Sequence, residues 1–375
     1  MTLAFNDLGR QYQLIKDELQ TALSGVMEKA HFINGPEVGE LEKALADYVG
    51  VAEVVACANG TDAMVMPLIA LGLDQGDAVF CPAFTFIATA EAAALRGARP
   101  VFVDIDPVTY NIDPADLEAK ILQVRQEGRF HPRAVIPVDL FGLPADYRAL
   151  EPMADNHGLI LLEDAAQGFG GQLGQRRAGS FGRVAATSFF PAKPLGCYGD
   201  GGAVFTNDKE LAAAVRSIRA HGAGGHKYEH VRLGTNSRLD TMQAAVLLAK
   251  LKLFPRELTE RQRVAGRYSA RLGGHLPGPV IPEGFLSSWA QYTVRVPAER
   301  RDAIAARLKD QGIPTAVYYP QALHLQPAFA HLGGRPGDLP VSEKAVREVL
   351  SLPMHPYLTD EEVDFIAENV IAAVG

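Results

Sequence analysis

Short apolar strands alternate with helical segments over residues 53 to 167, and this order constrains the fold more than any other feature of the chain. The strands are predicted at Glu53 to Cys57, Ala78 to Cys81, Val101 to Asp104, Ala134 to Val138 and Leu159 to Leu162. Parallel strands need helical crossovers that cover both faces of the sheet. The alternation therefore predicts an α/β fold with a mostly parallel sheet between helices.

The later part of the chain loses this rhythm. After a long helical segment, the sequence predicts a strand and three helices at Gln291 to Val296, Arg301 to Gln311, Ser342 to Leu350 and Thr359 to Ala373. We expect a smaller C-terminal α+β domain over residues 251–375 and a large domain over residues 1–250.

Length and charge limit the possible functions. A chain of 375 residues can bury a large core, and its formal net charge of -8 argues against a general nucleic-acid binder. Three scattered cysteines without CxxC spacing favour neither disulfides nor structural zinc and fit a reducing cytoplasm. The start of the chain does not resemble a signal peptide, and no apolar run is long enough to span a membrane.

Three predicted strand ends carry polar or aromatic groups. Gly60 and Thr61 follow the first strand and open a helix, where free backbone N–H groups and the helix dipole favour an anion. A plain capped turn is the alternative interpretation. Phe84 to Phe86 and Asp164 follow two other strands. Because ligands of parallel sheets bind beyond the carboxyl ends of the strands, these groups are predicted to form one site.

Lys193 lies between Pro191 and Pro194 and is followed by several glycines. Proline presets the backbone and glycine permits tight turns, so a rigid turn is predicted there. A partly desolvated amine has a lowered pKa and can act as a nucleophile, although a solvated surface lysine is the alternative. An amine, a strand-end carboxylate, an aromatic face and an anion site are together what pyridoxal phosphate needs.

Nucleotide and metal motifs are incomplete. The glycine-rich runs at residues 168–174 and 222–227 lack the third glycine of the dinucleotide fingerprint, and no P-loop follows Lys193. A nucleotide-binding oxidoreductase is therefore disfavoured. His226 and His230 have helical metal-ligand spacing but lack the glutamate expected after the first histidine, so we expect no metal.

Seven motifs recur in order along nearly the whole chain, and through them the sequence resembles the DegT/StrS-type sugar-nucleotide aminotransferases. The motifs are NGTDA (59–63), PAFTFIAT (82–89), VDIDP (103–107), EDAAQ (163–167), SFFPAKPLGCYGDGGA (188–203), GTNSRLD (234–240) and GIPTAVYYP (312–320). The resemblance implies the aspartate-aminotransferase fold, known as fold type I, with a seven-stranded sheet.

The resemblance also implies a role for each matched residue. Lys193 would hold pyridoxal 5′-phosphate as a Schiff base and move protons, while Asp164 would pair with the pyridine nitrogen. The other implied cofactor contacts are Gln167 at the 3-hydroxyl, Phe86 on the ring, and Gly60, Thr61 and Ser188 at the phosphate. Asn236, in a predicted turn, would reach the cofactor of a partner subunit, which implies a homodimer with shared active sites.

By the same resemblance, the reaction moves an amino group from L-glutamate to a nucleotide-linked keto sugar in amino-sugar or polysaccharide biosynthesis. The SFFPAKPLGCYGDGGA motif is most similar to that of enzymes acting on 3-keto sugars, including UDP-2-acetamido-2-deoxy-3-oxo-glucuronate. A 4-keto-6-deoxy sugar is the alternative substrate, and a catalytically idle cofactor-binding regulator is the alternative of another class.

Substrate residues are expected at two places. Arg238 lies two positions after Asn236 and could bind an anionic sugar with two parallel hydrogen bonds, although it could instead pair with Asp240. Tyr318, Tyr319 and His324 are expected on the sugar side. Many relatives have His-Tyr-Pro where this chain has Tyr-Tyr-Pro, and this departure bears on which ring carbon is aminated.

Overall fold

The computed structural model describes residues 3–226 and 228–375, so Lys227 at the end of the second glycine-rich run lies outside the described residues. Its α-helices are α1 (Leu8–Leu14), α2 (Lys16–Lys29), α3 (Pro36–Val49), α4 (Gly60–Ala70), α5 (Ala88–Ala94), α6 (Pro114–Glu127), α7 (Tyr147–His157), α8 (Lys209–Arg219), α9 (Thr241–Leu272), α10 (Arg301–Asp310), α11 (Pro340–Glu348) and α12 (Asp360–Val374). Its strands are β1 (Glu53–Cys57), β2 (Asp77–Pro82), β3 (Arg99–Val103), β4 (His131–Val135), β5 (Ile160–Asp164), β6 (Gln172–Leu173), β7 (Arg176–Arg177), β8 (Val184–Ser188), β9 (Gly202–Thr206), β10 (Phe285–Leu286), β11 (Tyr292–Arg295) and β12 (Val349–Leu352).

Seven strands form the central sheet in the order β1-β9-β8-β5-β4-β2-β3. The pairs from β8 through β5, β4 and β2 to β3 are parallel, and only β9 runs antiparallel to its neighbours β8 and β1. This confirms the expected α/β fold with a mostly parallel seven-stranded sheet. The carboxyl ends of β1, β2, β5 and β8 therefore lie at one edge of the sheet.

Helices cover both faces of the sheet. On one face α4, α5 and α8 pack against buried residues such as Val55, Val79 and Val204. On the other face, one cluster joins α3 and α9 through Leu41 and Phe254, and a second cluster contains residues of α6 and α7. Burial on both faces explains why the strands read as nearly continuous apolar runs.

A smaller lobe forms around β11 and β12, which pair antiparallel and pack with α10 and α12. The sequence predicted a helix from Ser342 to Leu350, and this is wrong at its end, since α11 ends at Glu348. The chain turns extended there because Val349, Leu350 and Leu352 are fully buried as strand residues of β12.

Helix α9 links the two lobes. Its first half contributes Leu247 and Phe254 to the core of the large lobe, and its second half contributes Val264 and Tyr268 to the core of the small lobe. The predicted boundary between residues 250 and 251 falls within this helix and stays a prediction.

The first described residues also pack on the small lobe. Leu3 belongs to its core, and the Met354 N–H donates to the Phe5 carbonyl oxygen at 3.1 Å. Arg10 donates to both carboxylate oxygens of Glu362, at 2.9 and 2.6 Å. Among the helices of the described chain, none combines the length and apolarity that crossing a bilayer requires.

Candidate active site

The lysine turn joins β8 to β9 at the carboxyl edge of the sheet. The Lys193 N–H donates to the Phe190 carbonyl at 2.8 Å, and the Cys197 N–H donates to the Phe189 carbonyl at 2.8 Å. The two bonds close the tight turn that the Pro-Ala-Lys-Pro sequence predicts. Lys193 itself is half-buried.

Asp164 is the last residue of β5, and its side chain is buried next to this turn. Its Oδ2 accepts a hydrogen bond from the Thr89 hydroxyl at 2.8 Å, and its Oδ1 accepts one from the Ala166 N–H at 3.2 Å. Burial raises the pKa of Asp164, while the Thr89 bond and the charge of Lys193 oppose that shift. A buried carboxylate here is well placed to pair with a cation.

Lys193 and Asp164 influence each other. Burial lowers the pKa of the Lys193 amine below its usual value, and the carboxylate of Asp164 partly restores it. A lowered pKa increases the neutral fraction of the amine, which is the nucleophilic form.

Gln167 is held in a fixed orientation. Its Oε1 accepts from the Phe141 N–H at 2.9 Å, and its Nε2 donates to the Tyr319 hydroxyl at 3.0 Å. Burial raises the pKa of Tyr319, so its phenol stays neutral at physiological pH. Because an amide nitrogen carries two N–H groups, Gln167 keeps one donor for a ligand.

The two phenylalanines of the PAFTFIAT motif differ in exposure. Phe84 is fully buried, whereas the Phe86 side chain is 55% exposed and its ring centroid lies 6.2 Å from that of Tyr319. Only Phe86 therefore presents an aromatic face that a bound ring could stack on.

The start of α4 forms an anion cradle. The Asn59 side chain accepts from the Asp62 N–H at 2.8 Å, while the N–H groups of Gly60 and Thr61 belong to the first helical turn and have no intrahelical acceptor. A Cβ at Gly60 would lie 2.6 Å from the Cβ of Ser188. Glycine therefore permits the close approach that brings the Ser188 hydroxyl beside the helix N-terminus.

These features fit pyridoxal 5′-phosphate. A phosphate suits the cradle of helix N–H groups and hydroxyls, a ring nitrogen suits the buried carboxylate, and an aldehyde suits the amine of Lys193. The fit rests on the close packing at Gly60 and on the desolvated pair formed by Lys193 and Asp164.

Asn236 and Arg238 lie in an extended segment, so the expected turn is wrong. Backbone bridges pair Asn236 with Ala220 and Arg238 with Cys57 at the end of β1, and this pairing keeps the segment extended. Asn236 is exposed, and the buried Nε of Arg238 has no hydrogen-bond acceptor within the described residues. Within the residues that the structure describes, Arg238 forms no ion pair with Asp240 or with any other acid.

The residues expected on the sugar side separate into two groups. The rings of Tyr318 and Tyr319 lie 5.8 Å apart, next to Gln167. His324 is instead buried, with its Nε2 3.1 Å from a carboxylate oxygen of Glu343. The His324 imidazole is thus bonded to α11.

Several residues at the site were missed by sequence reasoning. Thr89 and Phe141 contact Asp164 and Gln167 directly, and the only signal for Thr89 was its place in a matched motif. The Asn6 side chain donates to the Ala192 carbonyl at 3.2 Å, and the Phe5 ring lies 6.1 Å from that of Tyr318. No local pattern marks Phe5 or Asn6.

A lysine turn, a buried strand-end carboxylate and an anion cradle on one edge of this sheet define the class as a fold type I pyridoxal-phosphate enzyme. The family model for the DegT/DnrJ/EryC1/StrS aminotransferase family matches residues 13–371. The chain belongs to this family and is an aminotransferase.

Individual relatives cover nearly the whole chain. It is 48% identical over 365 residues to the UDP-2-acetamido-2-deoxy-3-oxo-D-glucuronate aminotransferase of Pseudomonas aeruginosa, covering 97% of this chain and 98% of the relative. It is 45% identical to the pleiotropic regulatory protein of Geobacillus stearothermophilus, covering 99% and 98%. A crystal structure of a DegT DnrJ EryC1 StrS aminotransferase from Brucella abortus superposes with a TM-score of 0.97 at 51% identity, covering all of both chains.

The Thr89 hydroxyl gives a first prediction. Thr89→Val removes a hydrogen bond to the Asp164 carboxylate and should raise the pKa of Asp164. A bond to a charged group contributes about 1.5 kcal/mol or more, which corresponds to about one pH unit. As the pH is lowered, the affinity for pyridoxal 5′-phosphate, measured by absorbance titration, should therefore begin to fall at a pH about one unit higher than in the wild type.

Thr89→Ser is the matched control, since it keeps the hydroxyl and should keep most of the wild-type pH dependence. If the affinity of Thr89→Val for the cofactor falls at the same low pH as that of the wild type, the hydroxyl does not stabilise the charged form of Asp164.

Proposed function

We propose that this protein transfers the amino group of L-glutamate to a nucleotide-linked keto sugar, with pyridoxal 5′-phosphate held between Lys193, Asp164 and the start of α4. The observation that carries this proposal is the amine of Lys193, with its lowered pKa, beside the buried carboxylate of Asp164. The 48% identity to a sugar-nucleotide aminotransferase supports the substrate class.

The cofactor, when bound, supplies an electron sink for negative charge on the reacting carbon. The Asp164 carboxylate would keep the pyridine nitrogen protonated, and its burial strengthens that ion pair. The neutral Nζ of Lys193 would take a proton from the substrate carbon of the amino donor and return one to the sugar carbon.

Other side chains would orient the ring and the phosphate. Gln167, fixed by Phe141 and Tyr319, would donate its remaining N–H to the 3-hydroxyl. Phe86 would cover one face and limit water access. Gly60, Thr61 and Ser188 would bind the phosphate, with N–H groups and hydroxyls that the close packing at Gly60 brings together.

The active unit in this proposal is a homodimer in which Asn236 reaches the cofactor phosphate of the partner. Exposed apolar side chains flank its segment, with Leu233 91% and Val231 55% exposed, and the Thr241 N–H donates to the Phe32 carbonyl oxygen at 3.0 Å. Such an apolar patch favours an interface with another protein surface. A second copy would bury it.

For the sugar, we favour a 3-keto uronate over a neutral 4-keto-6-deoxy sugar. A buried Arg238 Nε without an acceptor supports an anionic ligand, because a buried donor left unpaired is costly. Tyr318 and Tyr319 would line the sugar side. The three cysteines are free thiols, which supports a cytoplasmic location.

A regulatory role is favoured by one observation, the 45% identity to a pleiotropic regulatory protein. The Lys193 and Asp164 pair supports catalysis instead. Adding L-glutamate to the cofactor-loaded protein separates the two functions: an aminotransferase converts the bound cofactor to its amine form with a change in absorbance, and an idle regulator does not.

The cofactor-bearing lysine is the second prediction. The purified protein should be yellow, and borohydride should fix the cofactor covalently onto Lys193, as identified by peptide mapping. Lys193→Ala should abolish the label and turnover while keeping the folded state. Lys250 is the demanding control, because it is also buried and has a pKa lowered to about 8 by burial. Labelling of Lys250 instead would overturn the assignment.

Shared active sites give the third prediction. Mixing inactive Lys193→Ala with Asn236→Ala should produce heterodimers in which one of the two sites has both residues intact. Because about half of the dimers are heterodimers at equal mixing, activity should recover to on the order of a quarter of wild type. Subunit exchange is confirmed with differently tagged chains. Exchange without any recovery would place Asn236 in its own subunit's site or outside catalysis.

Substrate selection by Arg238 is the fourth prediction. Arg238→Ala should lower kcat/KM for the 3-keto uronate, by a factor that corresponds to a loss of about 2 kcal/mol or more in transition-state stabilisation. The kcat/KM for a neutral 6-deoxy counterpart should stay nearly unchanged. Arg232→Ala, which removes an exposed arginine of the same segment, is the control for general loss of charge. Equal losses on both sugars would assign Arg238 to the nucleotide phosphates, and faster turnover of the neutral 4-keto sugar by the wild type would favour the alternative substrate.

A further inference from the structure

The orientation of the Gln167 amide is decided by one backbone group. The Phe141 N–H donates to the Gln167 Oε1 at 2.9 Å, while Nε2 donates to the Tyr319 hydroxyl at 3.0 Å. If the amide were reversed, its Nε2 would face the Phe141 N–H, and two buried donors would meet without an acceptor. The position of the Phe141 N–H therefore makes Gln167 present a donor, and not an acceptor, to a bound ring.

Phe141 reaches this position through an uncommon backbone conformation. Its φ is 58°, in the left-handed region that bulky side chains rarely adopt, and Gly142 follows with a φ of 104°. A residue stays in such a conformation only where the surrounding structure determines it. The contacts that do so come from two buried polar side chains, Asn111 and Ser288.

Asn111 holds three backbone groups around Phe141, and its side chain is only 4% exposed. Its Oδ1 accepts from the Leu140 N–H at 3.0 Å, and its Nδ2 donates to the carbonyl oxygens of Leu143 and Pro144, both at 3.0 Å. Because these bonds involve residues on both sides of Phe141, Asn111 fixes the backbone from which the Phe141 N–H points.

Ser288 holds the same region from the small-lobe side. Its hydroxyl donates to the Gln167 carbonyl oxygen at 2.9 Å, and its N–H donates to the Gly142 carbonyl oxygen at 2.8 Å. A Cβ at Gly142 would lie 2.6 Å from the Trp289 nitrogen, so glycine permits this close approach. Trp289 belongs to the small-lobe core. One serine thus ties both the Phe141 segment and the Gln167 backbone to that lobe.

We propose that Asn111 and Ser288 are positioning residues for the cofactor. Together they hold the Phe141 N–H and the Gln167 backbone so that the remaining N–H of Gln167 meets the 3-hydroxyl of pyridoxal 5′-phosphate. The inference rests on the role proposed for Gln167 and deepens it. Since both residues act through one amide, their effects on the bound cofactor should disappear when that amide is removed.

The absorbance of the bound cofactor provides the first readout. A donor to the 3-hydroxyl oxygen favours negative charge on that oxygen, so its loss should raise the pH at which the absorbance changes. Gln167→Ala should raise this pH by about one unit, the scale of one hydrogen bond to a charged group. Asn111→Asp, which loses both Nδ2 donors, and Ser288→Ala should each raise it by about half a unit or more.

Double variants show whether these shifts pass through Gln167. In the Gln167→Ala background, neither Asn111→Asp nor Ser288→Ala should move the absorbance titration further, because the amide that they position is gone. Shifts that add to that of Gln167→Ala would overturn the proposal. Single variants that titrate like the wild type would overturn it as well.

Ser351→Ala is the matched control for loss of a buried hydroxyl. Ser351 is also a fully buried serine of the small lobe, and its Oγ lies 2.8 Å from the Oγ1 of Thr293. This variant should lower the midpoint of thermal unfolding and leave the absorbance titration unchanged. If it shifted the titration as much as Ser288→Ala does, the effect would be one of stability, and the positioning role would be overturned.

Hydrogen exchange of the cofactor-free protein tests the same contacts without the ring. Ser288→Ala and Asn111→Asp should speed exchange in the peptide that contains Phe141 by about tenfold relative to strand β8. Equal acceleration in both regions would overturn the proposal. If Asn111→Asp does not fold, Ser288→Ala, which removes a single hydroxyl, decides both tests. Neither readout uses a sugar or an amino donor, so failure of the proposed amino transfer would leave these results unchanged.

Discussion

Burial of the Asp164 carboxylate is the constraint around which this structure is arranged. A charged group without solvent is costly unless hydrogen bonds and an opposite charge compensate it. Thr89 and the Ala166 N–H bond the carboxylate, and the charged form of the Lys193 amine opposes the rise in its pKa. These groups come from α5, from the end of β5 and from the turn after β8, so the parallel arrangement of the sheet is what brings them together.

The two lobes meet around the same carboxylate. Tyr319, from the small-lobe side of the chain, bonds Gln167, and Asn6 bonds the residue before Lys193 while Leu3 lies in the core of the small lobe. A movement of the small lobe would therefore change hydrogen bonds at both the lysine turn and the amide of Gln167. By contrast, the buried Nε of Arg238 has no acceptor among the described residues, and Leu233 and Val231 are exposed, which is expected of groups that meet a ligand or a second subunit.

Much of the fold was predictable because it depends on local order along the chain. Strand β1 forms over Glu53–Cys57 as predicted, and the alternation with helices led directly to the mostly parallel sheet. The error at Leu350 shows the limit of this reasoning. A short apolar run fits a helix or a buried strand equally well, and pairing with β11 decided between them.

The sequence by itself determined the reactive groups: a lysine held by prolines, a carboxylate and a glutamine at one strand end, and a glycine-threonine pair opening a helix. Only the tertiary structure decided their partners. Thr89 bonds a residue 75 positions away and Asn6 one 186 positions away. The reason is physical: local patterns fix backbone conformation and burial, whereas the protonation and orientation of a buried polar group depend on neighbours that only packing brings within hydrogen-bond distance.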